Sequence, residues 1–171
     1  MLTTNFYVMQ AVEATQRSIY KKATTPEGVA VDVVATGGNT YYPRILPTSG
    51  GVVFSYNSLG VVVGSGNAPA TKADYKLENI ITSGLKSVSS TNATDALDNG
   101  VENIKAIILQ NTTETDITIS EVGLIGMCYS GSGDSYYKYL MVDRTVLDVP
   151  VTIPAGESKA ISYSIRINWP D

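Results

Sequence analysis

The chain has 171 residues, a hydrophobic fraction of 43 % and a formal net charge of −4 at pH 7. This length and apolar content suit one compact domain with a sizeable core. The acidic balance, with no basic run longer than Lys21–Lys22, argues against a surface that coats nucleic acid. We therefore expect no nucleic-acid partner.

The sequence also argues against a membrane protein and against a disulfide scaffold. No apolar stretch approaches the roughly 20 residues of a membrane-spanning helix, and residues 1–10 lack the pattern of a signal peptide. Cys128 is the only cysteine, so an intramolecular disulfide and a cysteine-based zinc cluster are excluded. We expect Cys128 to be a small apolar core residue.

The N-terminal segment is predicted to form one helix. Asn5 is a suitable capping residue, and apolar side chains then follow at helical spacing, namely Val8, Ala11, Val12 and Ile19. Two placements of the helix are open. Residues 1–27 could form an arm that packs against a neighbouring molecule, or the helix could cover the chain's own sheet. The main domain is expected to span residues 28–171.

From Gly28 onward the pattern is typical of short strands separated by glycine, serine and proline. Such runs lie at 28–34, 52–54, 61–63 and 104–109. The alternation at Ile117 and Ile119 changes phase at Ser120–Glu121, which indicates a bulge or a corner. The polar stretch 87–100 is expected to be a loop that ends in the turn Asp98–Asn99–Gly100.

The C-terminal part shows the clearest alternation. Apolar residues alternate from Leu147 to Ile153, and Pro150 predicts that this strand lies at an edge or carries a bulge. A type I turn is predicted at 153–156. The run 161–169 then predicts a long strand that is central or near-central in its sheet. These elements together favour a mainly β protein, a β-sandwich or jelly roll with a short N-terminal helix or arm.

The sequence contains no histidine, which removes Ser-His-Asp and Cys-His catalysis as well as histidine-ligated metals. The Ser-x-x-Lys motifs lack the companion motifs of serine–lysine enzymes. Asp95, Asp98 and Glu102 do not have the spacing of a calcium loop, so we interpret them as a solvated turn. We therefore predict no catalytic, cofactor-binding or metal-binding residue, and no enzymatic activity.

Tyrosine is enriched, with 11 residues against two phenylalanines and one tryptophan. Tyrosine offers a large contact area with a polar tip, which suits interfaces with proteins or glycans. The candidate interface residues are the tyrosines near loops and the apolar side of the helix: Tyr41, Tyr42, Tyr129, Tyr136, Tyr137, Tyr139, Val8, Val12 and Ile19. The alternative to a protein-contact role is a receptor- or carbohydrate-binding module that uses the tyrosine-rich loops.

Three segments share an order that we find in a known group of proteins. Residues 60–79 combine a Gly-x-Gly turn, Pro69 and the stretch Asp-Tyr-Lys-Leu-Glu; residues 119–126 contain Glu-Val-Gly-Leu; and residues 140–167 end in a closing hairpin. This order resembles tailed-bacteriophage virion proteins. The spacing of Asp74 and Glu78 further predicts one short helical turn that lays Leu77 on the sandwich as a lid.

The resemblance implies a non-enzymatic structural component of a phage particle, such as a capsid decoration protein, a head-fibre base or a tail-peripheral protein. It implies assembly in the host cytoplasm into the virion, and it carries no active-site residues. The expected partners are copies of the same chain, as a trimer by analogy with such proteins, and other virion proteins. A host-surface glycan is a further candidate partner, and neither nucleic acid nor membrane is expected.

Overall fold

A computed structural model describes residues 1–15, 19–33, 51–130 and 137–168. These residues form one short helix and eight strands, so the prediction of a mainly β protein with an N-terminal helix is confirmed. The elements are α1 (Thr4–Thr15), β1 (Ile19–Thr24), β2 (Ala30–Val33), β3 (Gly60–Gly64), β4 (Leu85–Leu97), β5 (Gly100–Asn111), β6 (Ile117–Tyr129), β7 (Tyr137–Ile153) and β8 (Ser158–Asn168).

The described strands form three antiparallel sheets, a β1–β2 hairpin and two three-stranded sheets ordered β3–β6–β7 and β4–β5–β8. Side chains from both three-stranded sheets meet in one apolar cluster, to which β6 contributes Leu124 and β5 contributes Leu109. Because β1 precedes Gly28 and β2 follows it, the hairpin spans the domain boundary predicted from the sequence.

The helix packs on its own chain. Val8 and Val12 are buried in the shared core beside Phe6 and Met9, which is the second of the two placements considered above. Asn5 lies inside the helix and does not cap it. Its amide donates to the Thr24 and Met141 carbonyls at 2.8 and 3.1 Å, and its oxygen accepts from the Thr24 N–H at 2.8 Å. Ile19 begins β1 and is not helical.

The predicted irregularity in the Ile117–Leu124 segment is confirmed. Ile119 of β6 pairs with Val151 of β7, whereas Glu121 pairs with Val146, so β7 carries extra residues between these two pairs. Pro150 lies in this bulged part, and β7 is an edge strand of its sheet, as the proline predicted. The bulge reorients β6 so that the side chain of Glu121 becomes fully buried.

The 87–100 segment is not a loop. Leu85–Leu97 forms β4, which pairs with β5 along its length, and only the predicted turn at Asp98–Asn99 is confirmed, where Leu97 opposes Gly100. The prediction of a loop was wrong because β4 is polar and mostly exposed, so its sequence lacks the apolar alternation by which strands are recognised. Its order comes from the backbone ladder with β5.

The C-terminal strand alternates as expected, with Tyr163 and Ile165 buried, but β8 lies at the edge of its sheet and β5 is central. The prediction of a central position for β8 was therefore wrong, because a strand buried on one face alternates in the same way at an edge. The preceding turn is also shifted by one residue. Glu157 N–H donates to the Pro154 carbonyl at 3.1 Å, and Gly156 has a φ of 73°, as the third position of a type II turn requires.

Candidate functional site: a buried arginine–carboxylate cluster

The long connection between β3 and β4 contains no helix or strand of its own, and polar groups of the sheet hold it in place. We call these groups the Arg144 cluster: Asp74 and Glu78 of the connection, Glu121 of β6 and Arg144 of β7. Arg144 and Glu121 are buried, and burial without partners would be costly for these two charged side chains. The hydrogen-bond partners of these side chains therefore indicate the role of the cluster in the fold.

Glu121 is the acceptor at the centre of the cluster, and its side chain is 0 % exposed. Its Oε1 accepts from the backbone N–H groups of Gly66 at 3.1 Å and Asn79 at 2.8 Å. Its Oε2 accepts from the N–H of Glu78 at 3.1 Å and from Arg144 Nε at 2.9 Å. Both carboxylate oxygens are thus occupied, and both ends of the connection are tied to one side chain.

Arg144 is the only cation within the cluster, and its side chain is 4 % exposed. Besides Glu121, it donates from Nη1 to Asp74 Oδ2 at 2.8 Å and from Nη2 to the Ala68 carbonyl at 3.0 Å. Burial alone would lower the pKa of Arg144, but the hydrogen bonds with Asp74 and Glu121 outweigh burial and raise it. The guanidinium is therefore a permanent positive charge between carboxylates.

The two carboxylates of the connection also close turns in their own segment. Asp74 Oδ2 accepts from the Thr71 N–H at 2.9 Å, and Glu78 Oε2 accepts from the N–H groups of Asn67 and Ala68 at 2.7 Å each. These backbone hydrogen bonds lower the pKa of Glu78. Burial raises the pKa of Asp74, but hydrogen bonds from Arg144 and Thr71 prevail and lower it. No helical turn links Asp74 to Glu78, so that prediction was wrong.

The predicted lid is present without the helical turn. Leu77 is 2 % exposed and packs in a small apolar cluster with Val62, Ile125 and Met141. The hydroxyl of Tyr56 accepts a hydrogen bond from the Leu77 N–H at 2.8 Å, and burial raises the pKa of Tyr56 to about 12. Apolar packing of Leu77 and the ionic contacts of Arg144 thus hold the same connection to the sheet.

This arrangement suits a clamp better than a reaction centre. Every nitrogen of Arg144 and both oxygens of Glu121 already have partners within the chain. A general base needs a lone pair that can reach a substrate, and Glu121 offers none. Within the described ranges, no three acidic or cysteine side chains are placed to hold a metal ion. The side chain of Cys128 is buried, which raises its pKa to about 12 and disfavours a nucleophilic thiolate.

A second buried carboxylate, Asp143, lies next to Arg144 on β7. Its Oδ2 accepts from the Tyr163 hydroxyl of β8 at 2.6 Å, and its Oδ1 lies 2.9 Å from the Met1 ammonium. Burial, followed by the charge of Asp143, raises the pKa of Tyr163 well above its ordinary value. Asp143 therefore connects the two three-stranded sheets.

The structure separates the predicted interface residues into groups. Tyr129 and Tyr137 face each other across β6 and β7 with ring centroids 6.2 Å apart in an edge-to-face pair. Tyr137 is exposed, whereas Tyr139 is half-buried against the cluster that contains Leu77. Val8 and Val12 lie in the chain's own core, and Ile19 is the first residue of β1. Tyr41, Tyr42 and Tyr136 lie outside the described residues.

Neither Glu121 nor Arg144 was predicted from the sequence as a site residue, although both lie in the segments that carry the resemblance. A signal was present in the sequence. Glu121 is the one charged residue of β6, and Arg144 stands with Asp143 directly after the apolar run Leu-Met-Val of β7, so both charges adjoin apolar stretches. A charge in that position needs a buried partner, but its partner could not be identified from spacing.

Comparisons with protein-family models, curated proteins and solved structures found no match. Among the helices of the described residues, none combines the length and the apolar character needed to cross a membrane.

Proposed function

We propose that the protein is a non-enzymatic structural subunit that acts through protein–protein contacts. The observation that carries this proposal is the complete internal pairing of the Arg144 cluster. Arg144 and Glu121 bind the connection between β3 and β4 and leave no group for a substrate. In a chain without histidine, the most extensive polar cluster described serves to fix a surface shape.

We assign the subunit to the particle of a tailed bacteriophage. The order of the three sequence segments supports this assignment, and each segment supplies a member of the Arg144 cluster: Glu78 from the first, Glu121 from the second and Arg144 from the third. The resemblance therefore follows residues that cooperate in one structural feature. Within the particle, the candidate roles are capsid decoration, head-fibre base and tail-peripheral protein.

We further propose that the two three-stranded sheets form a β-sandwich. The shared apolar cluster and the hydrogen bond between Tyr163 and Asp143 support this architecture. Sheets that pack face to face lie about 10 Å apart, a distance that a tyrosine side chain reaching a carboxylate helps to span. A rigid sandwich of this kind suits repeated contacts in a symmetric assembly.

The proposed partners are copies of the chain, as a trimer, and other virion proteins. The exposed end of the β6–β7 hairpin, where Tyr129 and Tyr137 pair, is the proposed contact with them. Paired aromatic side chains at a strand end provide area at a small entropy cost. Assembly would take place in the host cytoplasm.

The experiment is to detect the protein in particles. Antibodies raised against the purified protein are applied to phage particles banded on a density gradient from lysed cells that carry the gene, and the copy number per particle is measured by quantitative mass spectrometry. We expect the protein to band with particles, and hundreds of copies would favour decoration over a tail or fibre position. A protein that stays in the soluble fraction while particles form would contradict the proposal. Glycan-array binding by the same soluble protein would favour the carbohydrate-binding alternative.

A further inference from the structure

Strand β4 differs from the other long strands of the described fold. It has 13 residues, and from Val88 to Ala96 each of them is exposed. Serine, threonine, asparagine and alanine predominate there, so the strand gains little from the core of its own chain. It pairs with β5 on one side, and no described strand pairs with its other side. A long edge of this kind presents free backbone donors and acceptors.

The edges of the other three-stranded sheet are treated differently. Along β3, Val52 forms a bridge to Val61 and Ile80 forms a bridge to Gly64. Along β7, Leu2 forms a bridge to Asp143, and the bulge that contains Pro150 interrupts the rest of the edge. Edges that are bridged, or interrupted by a bulge with a proline, do not pair readily with another chain. Within the described residues, no strand or bridge lies along the free edge of β4, and the strand contains no proline. Its one bulge, at Val88, lies near one end, and Gly51 lies beside the side chains of Ser87 and Ser90 on its inner face.

We propose that β4 pairs antiparallel with β4 of a second copy, so that Thr91 lies opposite Thr91 on a two-fold axis and the two β4–β5–β8 sheets join into one. The register follows from the bulge in β4, where pairing with β5 skips Val88. Asp95 lies four residues after Thr91, and Lys86 lies five residues before it. Because the bulge adds one unpaired residue between Lys86 and Thr91, both Lys86 and Asp95 lie four pairing positions from the axis.

In this register Lys86 of each copy lies opposite Asp95 of the other. Both side chains are on the same face of the sheet, because their partners in β5, Gln110 and Glu102, alternate with the buried residues Leu109 and Asn103. Neither Lys86 nor Asp95 forms an ion pair within the described part of the chain. The two-fold axis therefore creates two ion pairs at once, whereas a parallel arrangement in register would bring like charges together.

The second copy is thus recognised by backbone pairing along the strand and by charge at both of its ends. Between the charged ends, small side chains oppose one another, as at Ser89 and Ala93. Cross-strand contacts of this type are weak individually, so the continuous ladder provides affinity and the charges select the register. This inference rests on the geometry of β4 and uses none of the tyrosine contacts of the proposed function. A two-fold contact of this kind could also join two trimers.

A charge exchange tests the contact. The mass of the purified full chain is measured by light scattering over a concentration series for Lys86→Glu, Asp95→Lys and the double variant. Each single variant should weaken the two-fold association by roughly tenfold, because two attractive pairs become repulsive, and the double variant should restore it. Lys159→Glu, an exposed charge on β8, is the matched control and should have no effect. Equal association of all four variants would overturn the proposal.

A cysteine at the axis tests the register. Thr91→Cys should form an intermolecular disulfide under mild oxidation, because the two side chains oppose each other on one face, and the buried Cys128 should not react. Ser164→Cys, at an exposed position of β8, is the control and should stay largely monomeric on a non-reducing gel. Cross-linking of Ser164→Cys alone, or of neither variant, would overturn the proposal. Because both tests use purified protein, their failure leaves the particle experiment unaffected.

Discussion

The Tyr163 hydroxyl donates a hydrogen bond of 2.6 Å to Oδ2 of Asp143, which joins edge strand β8 of one three-stranded sheet to edge strand β7 of the other. Both residues are buried, and Thr145 Oγ1 donates to the same carboxylate oxygen at 3.1 Å. A charge-assisted hydrogen bond in such surroundings is stronger than one between neutral groups. The pair therefore fixes how the two sheets meet at this edge.

Replacing Tyr163 with phenylalanine should lower the free energy of unfolding by about 1–3 kcal/mol, because Asp143 loses a buried donor while the ring is kept. Urea unfolding followed by far-UV circular dichroism measures the change. Tyr7→Phe is the control, since Tyr7 lies on the exposed side of α1 and should change stability by less than about 0.5 kcal/mol. Equal stability of both variants would show that the inter-sheet hydrogen bond contributes nothing.

Arg144→Met should be among the most destabilising single substitutions, at about 3–5 kcal/mol, because it leaves Glu121 buried without its cation. Methionine keeps the unbranched apolar stem, so the loss reports mainly on the charge. The free energy of unfolding is again the measurement.

The control for this variant is Arg166→Met. Arg166 is exposed and, within the described residues, donates to Asn99 and Asn168, so we expect a loss of at most about 1 kcal/mol. In Arg144→Met, the connection between β3 and β4 should also become sensitive to limited proteolysis. A variant that keeps both its stability and its protection would contradict the clamp.

Acid should weaken the clamp through Asp74. The folded-state pKa of Asp74 is below its ordinary value of 3.8, so the ionised form is favoured by folding. This contribution is complete above about pH 4 and is lost as the pH falls through the folded-state pKa. The difference in free energy of unfolding between the wild type and Asp74→Asn should therefore be largest near neutral pH and shrink below pH 4. A difference that is constant between about pH 7 and pH 3 would contradict this assignment.

The sequence predicted those features of the fold that depend on neighbouring residues. The phase change at Ser120–Glu121 predicted the bulge, Asp98–Asn99 predicted the hairpin turn, and Pro150 predicted an edge strand. Each of these signals lies within a few residues of the feature itself. Steric and hydrogen-bonding preferences of the local backbone are sufficient to produce them.

Features that depend on distant partners were not predictable in the same way. Arg144 meets Asp74 across 70 positions of the chain, and only the sheet register brings the two together. β4 is exposed, so its sequence carries no apolar period, and among the described strands it is the pairing with β5 that holds it extended. The sequence allowed both placements of α1, because an apolar stripe does not indicate whether it will face its own chain or a neighbour.

Gly64→Ala tests whether the close approach of β3 to Glu121 is essential. A Cβ atom at Gly64 would lie 2.5 Å from Glu121 Oε1 and 2.6 Å from the Asn79 carbonyl oxygen, so the carboxylate would have to move away from its backbone donors. We expect a loss of about 2–4 kcal/mol, from overpacking together with weakened charged hydrogen bonds. Gly156→Ala is the control. A Cβ there meets nothing within 4 Å, so only its φ of 73° opposes the change, at a cost of about 1 kcal/mol.

A double-mutant cycle separates this clash from a general intolerance of β3. Glu121→Ala removes the carboxylate and should itself be destabilising, because Arg144 Nε loses its acceptor. In that background Gly64→Ala should cost less than in the wild type, since both contacts with Glu121 are gone and the contact with the Asn79 carbonyl oxygen remains. The coupling between the two positions should then exceed about 1 kcal/mol, as is usual for residues in direct contact. Additive effects would mean that the carboxylate does not occupy the space beside Gly64.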